Sequence, residues 1–304
     1  LMRQKIIRIN KPNIYNFDLI LRYIKNSPSF VIEKVIENTY CRAFVIGGRM
    51  YLVLVRDEGI DSKYLEVKVI GEEVKNNHVQ LVKEKIITIF CLEQDIDKSQ
   101  KFIANESKIG KLIKMYEGFR PVLLGSVYES TIWAIIGQQI SAKVAHGIKE
   151  SLLEKTGAKI IINNCEYYTD LCPRKVMELS INQLRDLKLS QRKAEYIHEI
   201  TKAIIDGELD LSCLYLLDRE ESCSYLMKYR GIGKWTAESI LMRGIGRQDI
   251  LPAGDLIIRK VVGEMYEYDE LLTESQVRKI STRWKTAETW ITHLCWFYMQ
   301  EKIL

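Results

Sequence analysis

Between residues 132 and 152 an apolar side chain returns at every fourth position: Ile132, Ile136, Ile140, Val144, Ile148 and Leu152. That period keeps successive residues on one face of a helix and would scatter them across a strand. The run is interrupted by Gly137-Gln138-Gln139-Ile140-Ser141, where glycine and serine predict one helix ending and another beginning, with Gln138 and Gln139 at an exposed corner. The first hundred residues carry a different pattern. Residues 17–24 read as helix, whereas 30–37, 40–46, 51–56 and 64–70 are short runs rich in Val, Ile and Tyr, the turns between them marked by Gly47-Gly48 and Asp57-Glu58-Gly59. A further helix is predicted over 79–92, and beyond it the chain reads as almost wholly helical. The predicted fold class is therefore α+β: a small domain with an antiparallel sheet over residues 1–100, then an all-α unit over residues 101–304.

Within the helical part, residues 224–259 (SYLMKYRGIGKWTAESILMRGIGRQDILPAGDLIIR) hold the densest chemistry. An apolar helical segment turns through Gly231-Ile232-Gly233 and restarts at Lys234-Trp235-Thr236-Ala237. Two glycines around one apolar residue allow a tight hairpin between helices with backbone N–H groups exposed and Ile232 plugging the turn. A phosphate suits that place, since the second helix offers it free N–H groups and a positive dipole end, with Lys234 and the Thr236 hydroxyl beside it. Asp255 follows Pro252-Ala253-Gly254 and precedes an apolar run, where a helix would begin; by itself it reads as an ordinary N-cap.

The hairpin joined to a correctly spaced Asp resembles the helix-hairpin-helix DNA glycosylases of the HhH-GPD superfamily, in particular the bacterial 3-methyladenine DNA glycosylase II branch. The resemblance covers residues 118–299 well and the first hundred loosely. It implies a two-lobed helical core with the hairpin at 224–243 and the helices of 255–304 packed against 101–120. It makes Asp255 the catalytic carboxylate, and Gly231, Gly233, Lys234, Thr236, Gln139, Ser141 and Lys193 the DNA-binding residues. Gln139 matches the residue that fills the hole left by a flipped base; on physics alone Gln138 and Gln139 read as solvated caps, and Lys193 as a solvated helix start. Trp235 and Trp296 match the aromatic walls of the base pocket, with Trp133 and Tyr128 as further candidates; an isolated tryptophan such as Trp133 is more often core. The main-chain carbonyls of Met227, Tyr229 and Ile232 are implied ligands of a monovalent cation, Na+ or K+. Where relatives have Trp-x-Pro-x-Arg near the end, this chain has Trp284-Lys285-Thr286-Ala287-Glu288, and where the bacterial member has an aromatic four residues after the hairpin Trp, it has Ser239.

Relatives that also cut the strand carry a lysine two residues after the second hairpin glycine, the nucleophile of a Schiff base. Here that position is Trp235, and Lys234, one residue earlier, is rotated by about 100° on a helix. The expectation is a monofunctional glycosylase that flips an alkylated base out of damaged double-stranded DNA and hydrolyses its N-glycosidic bond. The alternatives are an 8-oxoguanine glycosylase/lyase of the same fold and a non-catalytic DNA-binding module.

Composition narrows this only a little. The chain has 304 residues and a net charge of +5, and from residue 102 onward basic and acidic residues nearly cancel, so a DNA surface must come from clustering. Lys228, Arg230, Lys234, Arg243 and Arg247 provide it, against the single acid Glu238. The seven cysteines are scattered without ligand spacing, so neither an iron–sulfur cluster nor any other required cofactor is expected. No apolar run is long enough to cross a membrane, and a cytoplasmic monomer without an obligate protein partner is expected.

Overall fold

A five-stranded antiparallel sheet in the order β1-β5-β4-β3-β2 forms the first layer of the computed structural model, which describes residues 2–27, 30–59, 62–96, 108–284 and 286–303. Three central strands follow the predicted runs closely: β3 (Thr39–Ile46), β4 (Arg49–Asp57) and β5 (Tyr64–Gly71). The edges depart from expectation. Strand β1 (Arg3–Asn10) pairs with β5 from Arg3↔Gly71 to Asn10↔Tyr64, although its charged, mostly exposed side chains give no apolar alternation. Strand β2 is only Lys34–Ile36, not 30–37. Glu37 and Asn38 take left-handed backbone angles and turn the chain into β3, while Phe30, Ile32 and Glu33 leave the ladder for the core.

Helix α1 (Phe17–Asn26), capped by Asn16, and helix α2 (Asn76–Ile89) pack against the sheet. The helical unit then runs α3 (Gly110–Met115), α4 (Val127–Gly137), α5 (Ala142–Thr156), α6 (Pro173–Met177), α7 (Ile181–Asp186), α8 (Gln191–Ile205), α9 (Arg219–Leu226), α10 (Lys234–Ile240), α11 (Leu256–Met265), α12 (Glu274–Ser281) and α13 (Glu288–Ile303). This unit is not all-α. A two-stranded ribbon, β6 (Lys159–Ile162) and β7 (Cys165–Tyr168), turns at Asn163-Asn164, both left-handed, and lays Ile160 and Tyr167 on Cys41, Ala43 and Leu52 of the first sheet.

The two units share one continuous core. Tyr23 of α1 meets Phe119 and Phe297 at 5.2 and 5.5 Å between ring centres, Tyr116 stacks on Phe297 at 4.6 Å, and Trp290 Nε1 donates to the Phe119 carbonyl at 2.9 Å. Helix α13 thus packs on the segment 110–120 as expected; residues 101–107 of that expectation lie outside the described residues. A buried ionic joint adds to the seam. Arg42 on β3 donates from Nη1 to Glu33 and from Nη2 to Glu129 on α4 (2.8 Å) and to Asp170 (2.5 Å) beyond the ribbon. The glycine at 125 is required there, because a Cβ would lie 2.1 Å from Arg42 Nη2.

Candidate active site and nucleic-acid interface

Helix α9 starts in a capping box made by Asp218 and Glu221, and the chain leaves it through Met227–Arg230 into the hairpin turn. Gly231 has φ +92°, and a Cβ at that position would sit 2.3 Å from Cγ of Tyr196, so both backbone and space demand glycine. Ile232 is buried and plugs the turn; Gly233 caps α10 without a side chain, leaving open space in front of the helix start. Lys234 stands exposed at that end, 3.7 Å from Glu274. The turn and an exposed lysine are present on the surface expected to meet phosphate, but of the other basic residues expected to cluster there Arg230 pairs with Glu195 and Glu199, Arg247 pairs with Asp249, and Arg243 lies on the Trp296 ring.

Two further residues expected on that surface are not on it. The Thr236 hydroxyl is buried and accepts from Gln138 Nε2 at 3.0 Å, and the same nitrogen donates to the Gly231 carbonyl at 2.8 Å. Gln138 therefore fastens the end of α4 to the hairpin, and Thr236 is its partner, not a phosphate ligand. Lys193 donates to the carbonyls of Ile136 (2.8 Å) and Gln138 (2.5 Å), satisfying the free carbonyls at the end of α4, and burial lowers its pKa. It acts as a C-cap across helices in place of a DNA contact. Its partner turn is tight: Lys188 holds φ +69° just ahead of α8, whose N-cap is Ser190.

Gln139 stands exposed at φ +52°, the left-handed corner between α4 and α5, and Ser141 caps α5 by accepting from Val144 N at 3.3 Å. Facing that corner across a cleft of ≈ 530 Å³ are Tyr196, Lys234 and Trp235. Trp235 is half-buried, and a Cβ on Gly137 would touch its ring at 4.0 Å, so the α4 terminus and the hairpin Trp form one wall.

Asp255 caps α11. Its Oδ1 accepts from the backbone N–H groups of Ile257 (2.9 Å) and Ile258 (3.2 Å), whereas Oδ2 accepts no hydrogen bond from the described residues. The carboxylate is half-buried and lies in the field of the Arg243 guanidinium. Arg243 comes from a single wide turn, Leu241–Ile245, in π geometry, which continues α10 and ends at left-handed Gly246. Arg243, expected in the phosphate-facing cluster, is carried by this turn to Trp296 instead. Its Cζ lies 4.2 Å above the centre of the Trp296 ring. Beneath, His293 meets Trp296 edge-on at 5.3 Å and shares a hydrogen bond with the Tyr23 hydroxyl at 3.2 Å. Burial, with Arg243 adding to it, holds His293 well below the ordinary histidine range, so the imidazole is neutral.

Trp296 thus lies under Arg243, the guanidinium whose charge reaches Asp255. Tyr128 and Trp133, the further pocket candidates, are both buried in the packing around α4, the Tyr128 hydroxyl paired with Thr201 at 3.0 Å and Trp133 Nε1 donating to Glu129 at 2.9 Å. They are core residues. Of the three hairpin carbonyls, that of Tyr229 accepts from Ile232 N at 3.1 Å, while those of Met227 and Ile232 accept no bond from the described residues. Among the described residues no group of three or more His, Cys, Asp or Glu side chains could hold a metal ion, and no helix is long and apolar enough to cross a membrane.

Comparison with known proteins identifies the family and the fold. The family described as "HhH-GPD superfamily base excision DNA repair protein" matches residues 132–286. A DNA-3-methyladenine glycosylase of Bacillus subtilis is 25% identical over 295 residues, 96% of each chain. The solved 3-methyladenine DNA-glycosylase of Archaeoglobus fulgidus superposes with a TM-score of 0.85 at 26% identity, covering 98% of this chain and 99% of that one. An 8-oxoguanine glycosylase/lyase of Clostridium acetobutylicum, solved with double-stranded DNA, shares the fold at a TM-score of 0.77 and 17% identity, covering 100% and 99%.

Proposed function

The chain belongs to the HhH-GPD superfamily of base excision DNA repair proteins, and on that footing we propose that it is a monofunctional hydrolytic glycosylase that removes alkylated bases from duplex DNA, with Asp255 as its catalytic carboxylate. DNA is its partner. The observation that carries the catalytic assignment is the division of labour within Asp255. One oxygen is held by two backbone N–H groups at the start of α11, and the other accepts nothing from the described residues and lies in the field of Arg243, itself stacked on Trp296. A carboxylate fixed in this way stabilises the positive charge that develops on the sugar as the glycosidic bond breaks, or aligns the attacking water.

Gln139 at the left-handed corner would enter the duplex where the base leaves, and the hairpin would hold the neighbouring phosphate, offsetting a flipping cost of a few kcal/mol. The carbonyls of Met227 and Ile232, with that of Tyr229 sharing its second lone pair, suit a monovalent cation bridging to that phosphate. No amine takes the lyase position: Trp235 fills it, and Lys234 points to Glu274 at the surface. The relatives named for 3-methyladenine support the alkylated-base reading. Asp255→Asn should lower base release by about 10²- to 10³-fold with DNA affinity and melting temperature retained. Strand breaks should appear only after alkali; nicking without alkali, trapped by borohydride, would instead establish the lyase.

A further inference from the structure

Arg243 is out of place in a pocket for cationic bases. It is a half-buried guanidinium with no carboxylate within ion-pair distance among the described residues, and it covers the ring of the largely buried Trp296, the aromatic wall of the proposed base pocket. Burial pulls its pKa below the ordinary arginine range, with Tyr23 and Asp255 pulling the other way, yet a guanidinium remains charged. The surroundings add no countercharge: His293 is held neutral with its Nε2 buried and unpartnered among the described residues, and the buried amine of Lys149, pushed down to about 7 by burial and then by Arg243, is a second cation at low pH. Among the described residues, the carboxylate whose charge reaches the arginine is Asp255 itself.

A base entering such a site meets a planar cation already spread on the ring. A second cation there loses the attraction of the ring quadrupole to a competitor and is repelled by it. A neutral purine that turns a carbonyl and an unsubstituted N7 toward the guanidinium gains a bidentate pair, the geometry by which arginine reads O6 and N7 of an oxopurine. Methylation at N7 removes one acceptor and adds charge; adenine derivatives present an amino donor where the carbonyl should be.

We propose that Arg243 sets the base preference of the Asp255 site, selecting neutral purines with an O6/N7 acceptor edge, 1-methylguanine among the alkylated bases and hypoxanthine as the simplest probe, over cationic N-methylated purines. This rests on the glycosylase reading of the site and narrows it. The test is base release from duplexes carrying a single hypoxanthine or a single 7-methylguanine, compared as the ratio of kcat/KM for wild type, Arg243→Met, Arg243→Lys and Asp255→Asn. Methionine keeps bulk on Trp296 without charge or donors, and the ratio should fall at least tenfold. Arg243→Lys keeps the charge without the planar fork, so it should lose the gain on hypoxanthine while still disfavouring 7-methylguanine. Asp255→Asn should lower both rates and leave the ratio alone; release that survives it would sink the catalytic role of Asp255 without touching the preference. Binding to the same two bases on 2′-fluorinated sugars, which release nothing, reads the preference apart from chemistry. A ratio within twofold of wild type in a folded Arg243→Met, in either assay, overturns the proposal.

Discussion

The hairpin and the inter-domain seam both collect charged side chains, and they treat them oppositely. At the hairpin, Lys234 is exposed with one distant carboxylate, and Arg230 spans Glu195 and Glu199 in the open. At the seam, Arg42 is fully enclosed and pairs with three carboxyl groups drawn from a loop, from α4 and from the segment after the ribbon. Charges in water cost little to leave loosely paired and are available to a polyanion; a buried one that loses its partners is strongly destabilising. The seam therefore sets the rigid relation of sheet and helices that puts Tyr23 under His293, and the hairpin keeps its charges in water, as the proposed DNA face requires.

The largest effect belongs to the seam. Arg42→Met should cost about 3–5 kcal/mol of stability, because Glu33, Glu129 and Asp170 lose their common cation. The pH dependence has a definite sign. Burial raises the Glu129 pKa to about 7 even with Arg42 opposing it, above its unfolded value, so this carboxyl favours the fold at low pH and that contribution is lost as pH rises through the folded pKa. Removing Arg42 raises it further, so the penalty should be smallest near pH 5 and grow toward pH 8. Urea melts at the two pH values check this; equal losses at both would mean that the joint is not ionic.

Next comes the turn itself. Gly231→Ala must hold an alanine at φ +92° against the Tyr196 ring, a local strain of about 1–3 kcal/mol. The hairpin has an easier escape than the core: it can shift. Melting should move little, while affinity for duplex DNA falls about tenfold or more if the whole strain is relieved by giving up the turn. Titration of a labelled duplex alongside a thermal melt separates the two; a large melting change with DNA affinity intact would assign Gly231 to stability alone.

The difference between the two regions also explains what could be read in the chain. The hairpin and Asp255 are local: glycine spacing, an apolar plug and an N-cap are written within 25 consecutive residues, so sequence reasoning found them. Lys193 and Thr236 were misjudged because their partners, Ile136 and Gln138, are distant in sequence, and an amine or hydroxyl at a helix start looks the same whether it meets water or a buried polar group. Arg243 was hidden by its π turn, which departs from the α period used to assign faces. Strand β1 was missed because one face meets solvent and its apolar alternation is absent, and the ribbon because four-residue strands give too short a pattern.

The smallest effect sharpens the comparison most. Lys234 and Lys193 are both lysines near the DNA-facing cleft, but only Lys234 has its ammonium in water; that of Lys193 donates to two backbone carbonyls. A phosphate contact releases condensed counterions, so Lys234→Ala should reduce the slope of log affinity against log salt by about 1 and weaken all sequences alike. Lys193→Ala should leave that slope unchanged and instead lower stability by about 1–3 kcal/mol, the cost of stranding buried carbonyls. If the two substitutions changed the slope equally, the C-cap role of Lys193 would be wrong, and the face that binds DNA would extend from the hairpin across the start of α8.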